Sequence, residues 1–92
     1  MNLDESKFMG VVLMDTVMSL DMVREGARVV VKEVSGGGWA RRLYQMGIVP
    51  GSQVEVVFNR GRGPVVVRVG GVEVSIGRGI ARRILVQQVT SP

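Results

Sequence analysis

Apolar and polar positions alternate most cleanly in the middle of the chain. In Gln53–Asn59, Val54, Val56 and Phe58 interleave with Gln53, Glu55 and Val57, a period of two that predicts a half-buried strand. Two further β-branched runs, Val65–Val69 and Val72–Ile76, flank Gly70-Gly71, the punctuation of a two-residue hairpin. Ala27–Val34 is dense in valine and bounded by glycines, and Ile84–Val89 closes the chain as a last strand.

The period changes once, after the first of these strands. Trp39, Leu43 and Met46 fall at helical spacing while Arg41, Arg42 and Gln45 point elsewhere. Gly47 suits the left-handed position just past a helix end, with Ile48 folding back onto Leu43. Val49-Pro50-Gly51-Ser52 carries proline second and glycine third, the type II turn signature. Downstream, "GRGIARR" allows a short helical turn before the last strand. The pattern predicts a mainly β fold. It is a small, highly curved barrel of about five strands, with one short helix after the first and a short helical turn before the last.

The start of the chain reads differently. Residues 1–17 form an N-terminal extension ahead of a domain at 18–92. Met14, Met18 and Met22 recur every four residues, which aligns them on one helical face. Such a stripe fits apolar packing or partner contact better than a soft-metal site. Ser19 is placed to cap a short turn at Leu20–Val23, with Gly26 ending it.

Composition narrows the function. The 92 residues contain neither histidine nor cysteine. The usual ligands for zinc, iron, nickel and copper are therefore missing, and so are the Ser-His and Cys-His nucleophiles. No cofactor, metal site or catalytic residue is expected, and no disulfide holds the fold. No run approaches the roughly 20 apolar residues of a membrane helix, and "FMGVVLM" lacks the basic start of a secretory signal. A cytoplasmic protein without direct membrane insertion is the expectation.

The net charge of +4 is unevenly spread: from Arg41 onward eight arginines face only Glu55 and Glu73. Such a half fits an acidic partner, nucleic acid or anionic headgroups, or is simply a solvated surface. None of the glycine loops is a nucleotide fingerprint. Gly36-Gly37-Gly38 is followed by no lysine and hydroxyl pair, and Arg41, Val66 and Arg82 stand where a dinucleotide motif needs its third glycine. The triple glycine reads as a turn into the helix. "NRGRGPV" sets Arg60 and Arg62 at a hairpin tip, either a partner for phosphate or carboxylate or a solvated loop. Arg78, Arg82 and Arg83 read as a solvated face.

The order of the pieces, "SLDMVREG", "ARVVVKEVSGGGWARRLYQMGIVPGSQVEVV" and "GPVVVRVGGVEVSIGRGIARRILVQ", resembles the FeoA family of ferrous-iron-transport accessory proteins over about Ser19–Val89. Its most specific part runs from Arg41-Arg42-Leu43 to Pro50-Gly51, supported by Ala81-Arg82-Arg83-Ile84. The resemblance implies an SH3-like barrel, no enzyme activity, and a cytosolic partner, the FeoB-type membrane transporter. The same fold is implied for the C-terminal domain of metal-responsive repressors. Arg41, Arg42, Tyr44, Arg60 and Arg62 are the expected contact surface, the helix supplying shape and the arginines steering. A small basic barrel that binds nucleic acid is the rival reading, weakened by an aromatic content of 4% that offers little base stacking. Apolar residues on both faces of "VVVRV" permit a homo-oligomer.

Overall fold

Each central strand turns two side chains, spaced by two, into a common core. The computed structural model describes residues 12–90. Strand β1 is Val12–Ser19, β2 Arg28–Val34, β3 Gln53–Phe58, β4 Val65–Val69, β5 Val72–Ile76 and β6 Ile84–Thr90. Val29 and Val31, Val54 and Val56, Val65 and Val67, Ile84 and Val86 are all buried, contributed pairwise by β2, β3, β4 and β6. This is the alternation of a strand with one face on the core. Leu20, Val23, Leu43, Ile48, Ile76 and Ala81 fill the remaining interior.

All pairings are antiparallel, in the order β1-β6-β2-β3-β4-β5. The chain therefore returns at its end to place β6 against β2. Register irregularities in the β2–β6 and β3–β4 pairs add the local bend a small curled sheet needs. Gly70-Gly71 forms the tip joining β4 to β5, with Val69 opposite Val72. Helix α1 is Trp39–Gln45, and a second, single-turn helix α2, Arg78–Ala81, carries the chain from the β5 edge back to β6.

The sixth strand is β1. The expected helical methionine face does not form: Met14 and Met18 lie in β1 and Met22 in a 3-10 turn, Leu20–Met22. A four-residue spacing fits the two-residue period of a strand as well as a helix turn, and the β6 edge decides between them. The part of the extension before Val12 lies outside the described residues. Ser19 does precede the 3-10 turn, but its hydroxyl donates to the Asp21 carboxylate and accepts no capping bond from a backbone N–H.

Candidate docking surface

Helix α1 is short, so its position depends on its ends. Leu43 anchors the buried side. At the C-terminus, Gly47 N–H donates to the Tyr44 carbonyl at 3.0 Å and Ile48 N–H to the Leu43 carbonyl at 2.9 Å. With Gly47 at φ 91°, this is a Schellman cap, and buried Ile48 supplies its apolar contact. The following turn closes through Ser52 N–H to the Val49 carbonyl at 2.9 Å. It is tied to β2 by Gly51 N–H to the Val31 carbonyl at 2.7 Å. Ser52 Oγ accepts from Val49 N–H and donates to the Gly47 carbonyl. The helix is thus clamped to the sheet at its C-terminal end.

At the other end, the triple glycine makes room for an aromatic ring. A Cβ on Gly36 would lie 2.8 Å from Trp39 Cε2, and one on Gly37 3.3 Å from Trp39 Cζ3. The indole rests on the backbone of these two residues and packs against the core. Its Nε1 is buried without a hydrogen-bond partner among the described residues. The Arg83 guanidinium stands 5.5 Å from the ring centroid, within cation–π range. Only Gly36 of the three has a positive φ; ring clearance asks for a small residue at Gly36 and Gly37, whereas Gly38 has open space at its Cβ position.

Between α1 and the β5–α2 segment runs a groove of about 180 Å³, walled by Trp39, Arg42, Leu43 and Met46 on one side and by Val74, Ile76 and Ile80 on the other. Met46 in its wall is 43% exposed, and Tyr44, on α1 outside the groove lining, is 48% exposed. Arg41 and Arg42 are exposed and have no hydrogen-bond or ion-pair partner among the described residues.

The structure divides the five predicted residues into two groups. Arg41, Arg42 and Tyr44 share α1; Arg60 and Arg62 sit in the β3–β4 loop, which is anchored elsewhere. Asn59 Nδ2 donates to the carbonyls of Asp21 at 2.9 Å and Val23 at 2.7 Å. Arg78 donates to the Gly63 carbonyl, to the Asp21 carbonyl and to Asn59 Oδ1. Arg60 pairs with Glu25 at 3.1 Å and lies 5.0 Å from the centre of the Phe58 ring. The loop is therefore a braced element, and of its two arginines only Arg62 lacks a partner among the described residues. Arg78, taken from the sequence as part of a solvated face, is half-buried and structural. Val74 and Ile80, on the far wall of the groove, were not marked by any motif.

A second charged feature crosses the outer sheet surface. Arg28 is opposite Glu55, Glu55 opposite Arg68, and Arg68 opposite Glu73, giving alternating charge over four strands. Arg68 bonds to Glu73 at 2.9 Å and Glu55 at 3.1 Å. The hydrogen bond it donates to Glu73, then the charge of Glu55, push its pKa above the ordinary arginine value. Among the described residues no three of His, Cys, Asp and Glu gather as a metal site. No helix among them is long and apolar enough to cross a membrane.

Comparison with known proteins places this geometry. The family model described as the FeoA domain matches residues 18–88. A curated relative from Methanocaldococcus jannaschii, "Putative Fe(2+) transport protein A", is 41% identical over 69 residues, covering 74% of this chain and 83% of its own. The crystal structure of an iron uptake regulatory protein, FeoA, superposes with a TM-score of 0.74 at 30% identity, covering 79% of this chain and 97% of that one. Stenotrophomonas maltophilia FeoA, solved with zinc and described as a prokaryotic SH3 domain protein, follows at 29% identity and a TM-score of 0.67, covering 75% and 88%. The mainly β architecture is thus the SH3-like fold of those structures.

Proposed function

The chain belongs to the FeoA family, and from that premise we propose that it is a non-catalytic, cytoplasmic accessory protein of ferrous iron uptake that docks on the FeoB-type membrane transporter. The observation that carries the reading is the α1 surface. One clamped helix carries two unpartnered arginines and an exposed tyrosine, and its side with Trp39, Arg42, Leu43 and Met46 walls an apolar groove. Exposed aromatic and arginine side chains are the usual anchors of protein contacts, and unpaired arginines steer an acidic partner. The absence of histidine and cysteine fits a role in contact better than one in acid–base or metal chemistry.

Nucleic acid binding is the weaker alternative. Base stacking needs open aromatic faces, yet arginines already stand over the rings of Phe58 and Trp39. The deciding experiment is a titration against the purified cytosolic domain of the transporter, with a random oligonucleotide alongside. Saturable binding to the transporter domain alone is expected. Binding to the oligonucleotide only, lost steeply as salt rises, would replace the docking reading.

A further inference from the structure

Strand β1 adds to the barrel from outside it. The family match begins at residue 18, near the end of β1. Every buried apolar side chain described lies between Leu20 and Val86, and of the described β1 side chains, those of residues 16–19, Met18 packs against that core. The strand meets the sheet through β6 alone. Its ladder comes in two pieces: Val12 and Leu13 pair with Thr90 and Val89, then Val17, Met18 and Ser19 pair with Gln87, Val86 and Leu85. Between them three β1 residues stand against Gln88 alone, so the pairing is interrupted.

The two edges of the sheet differ in how they resist a further strand. At one end, β5 is short and carries Glu73, held in place by Arg68, the kind of charge that discourages edge pairing. On β6, "ILVQQVT" holds no charged residue. Without β1 its outer backbone groups are an open, neutral acceptor for an extended segment, and β1 is what covers them. Val17 on the covering strand remains 49% exposed.

We infer that β1 is exchangeable: the β6 edge accepts residues 12–19 of a second copy of this chain in the same register, joining two copies by reciprocal exchange. The bonds made in exchange are those made within one chain, and each copy gives one strand and receives one. Because the exchange is reciprocal between the same two copies, the assembly closes at two. The chain crosses from one copy to the other at the Ser19–Leu20 junction, because Ser19 ends the exchanged ladder and Leu20 is buried in its own barrel.

The chain has no cysteine, which allows a direct test. Val17 and Gln87 are opposed in the β1–β6 ladder. The single variants V17C and Q87C are mixed under oxidised glutathione, and linked peptides are identified by mass spectrometry. Exchange predicts a disulfide joining one variant to the other, in a yield that rises with protein concentration. The double variant V17C/Q87C, oxidised when dilute, closes within one chain and then stays at monomer mass at concentrations where the unmodified chain reaches twice that mass. Failure of the double variant to close overturns the register. Closure of the double variant with no link between the mixed singles, or with links only between identical variants, overturns the exchange. An unmodified chain that stays at monomer mass at every concentration also overturns it.

Discussion

Arg78 Nη2 donates to Asn59 Oδ1 at 2.7 Å, joining a helix before the last strand to a loop in the middle of the chain. Asn59 passes the connection on through its amide to the carbonyls of Asp21 and Val23. One side chain thus satisfies acceptors on the 3-10 segment while its own oxygen receives Arg78 and the Gly61 amide. Replacing it removes several bonds at once and leaves the Val23 carbonyl without this donor, while that of Asp21 keeps Arg78. Asn59→Ala is expected to cost about 2–3 kcal/mol, at roughly 1 kcal/mol per bond plus part of the desolvation left uncompensated. Urea unfolding should show a lower midpoint at unchanged slope. Arg62→Ala, in the same loop, should stay within about 0.5 kcal/mol.

The different holds on Arg60 and Arg62 shape a test of docking. Arg60→Glu places a carboxylate beside Glu25 and removes a cation from the Phe58 ring, so it changes the loop as well as the surface charge. Arg62→Glu and the pair Arg41→Glu/Arg42→Glu change surface charge without breaking a described bond. If the α1 surface docks, the α1 pair should weaken transporter binding at least tenfold, equal to about 1.4 kcal/mol, with an unchanged unfolding midpoint. Titration calorimetry alongside urea melts separates the two effects. Unaltered affinity in the α1 pair removes the helix from the interface.

Local signals in the sequence led to the right elements, and long-range ones did not exist to be read. The Gly47–Ile48 cap and the Gly70-Gly71 hairpin depend on residues a few positions apart, so their chemistry is written next to them. Strand β1 depends on β6 at the far end of the chain, and its methionine spacing serves two periods equally well. The same limit applies to the surface. The exposure of Arg41 and Arg42 follows from helical spacing. The engagement of Arg60 by Glu25, and of Arg78 by Asn59 and Gly63, appears only when distant segments meet. The far wall of the groove, Val74 and Ile80, comes from strand and helix positions that carry no motif.

The Arg68 ladder predicts a response to salt and none to pH near neutrality. Its pKa is raised by Glu73 and Glu55. A raised basic group stabilises the fold fully below its unfolded pKa and loses that contribution only as pH climbs through the folded value. Here both lie above the range in which a protein is normally studied, so the Arg68 contribution should be flat between about pH 6 and 9. Exposed pairs are screened by ions. The stability difference between the unmodified chain and Arg68→Gln should shrink as sodium chloride rises, with no change across that pH range. A difference that survives high salt would mean that Arg68 acts through packing of its stem on the sheet.

The triple glycine gives the sharpest contrast between neighbours. Gly36 has φ 127° and a Cβ there would run into the Trp39 indole; Gly38 has φ −62° and open space around its Cβ position. Gly36→Ala therefore meets backbone strain and a clash against a ring held between the core and Arg83. It should cost about 1–3 kcal/mol. Gly38→Ala has neither problem and loses unfolded-chain freedom, so it should be neutral or stabilising by up to about 1 kcal/mol. Trp39 is the sole tryptophan, which makes its fluorescence a local reporter. Its emission should shift to the red in Gly36→Ala, as the indole is pushed off its seat toward water, and stay unchanged in Gly38→Ala. If both variants behave alike, the glycines serve chain flexibility and the seat beneath Trp39 has no energetic weight.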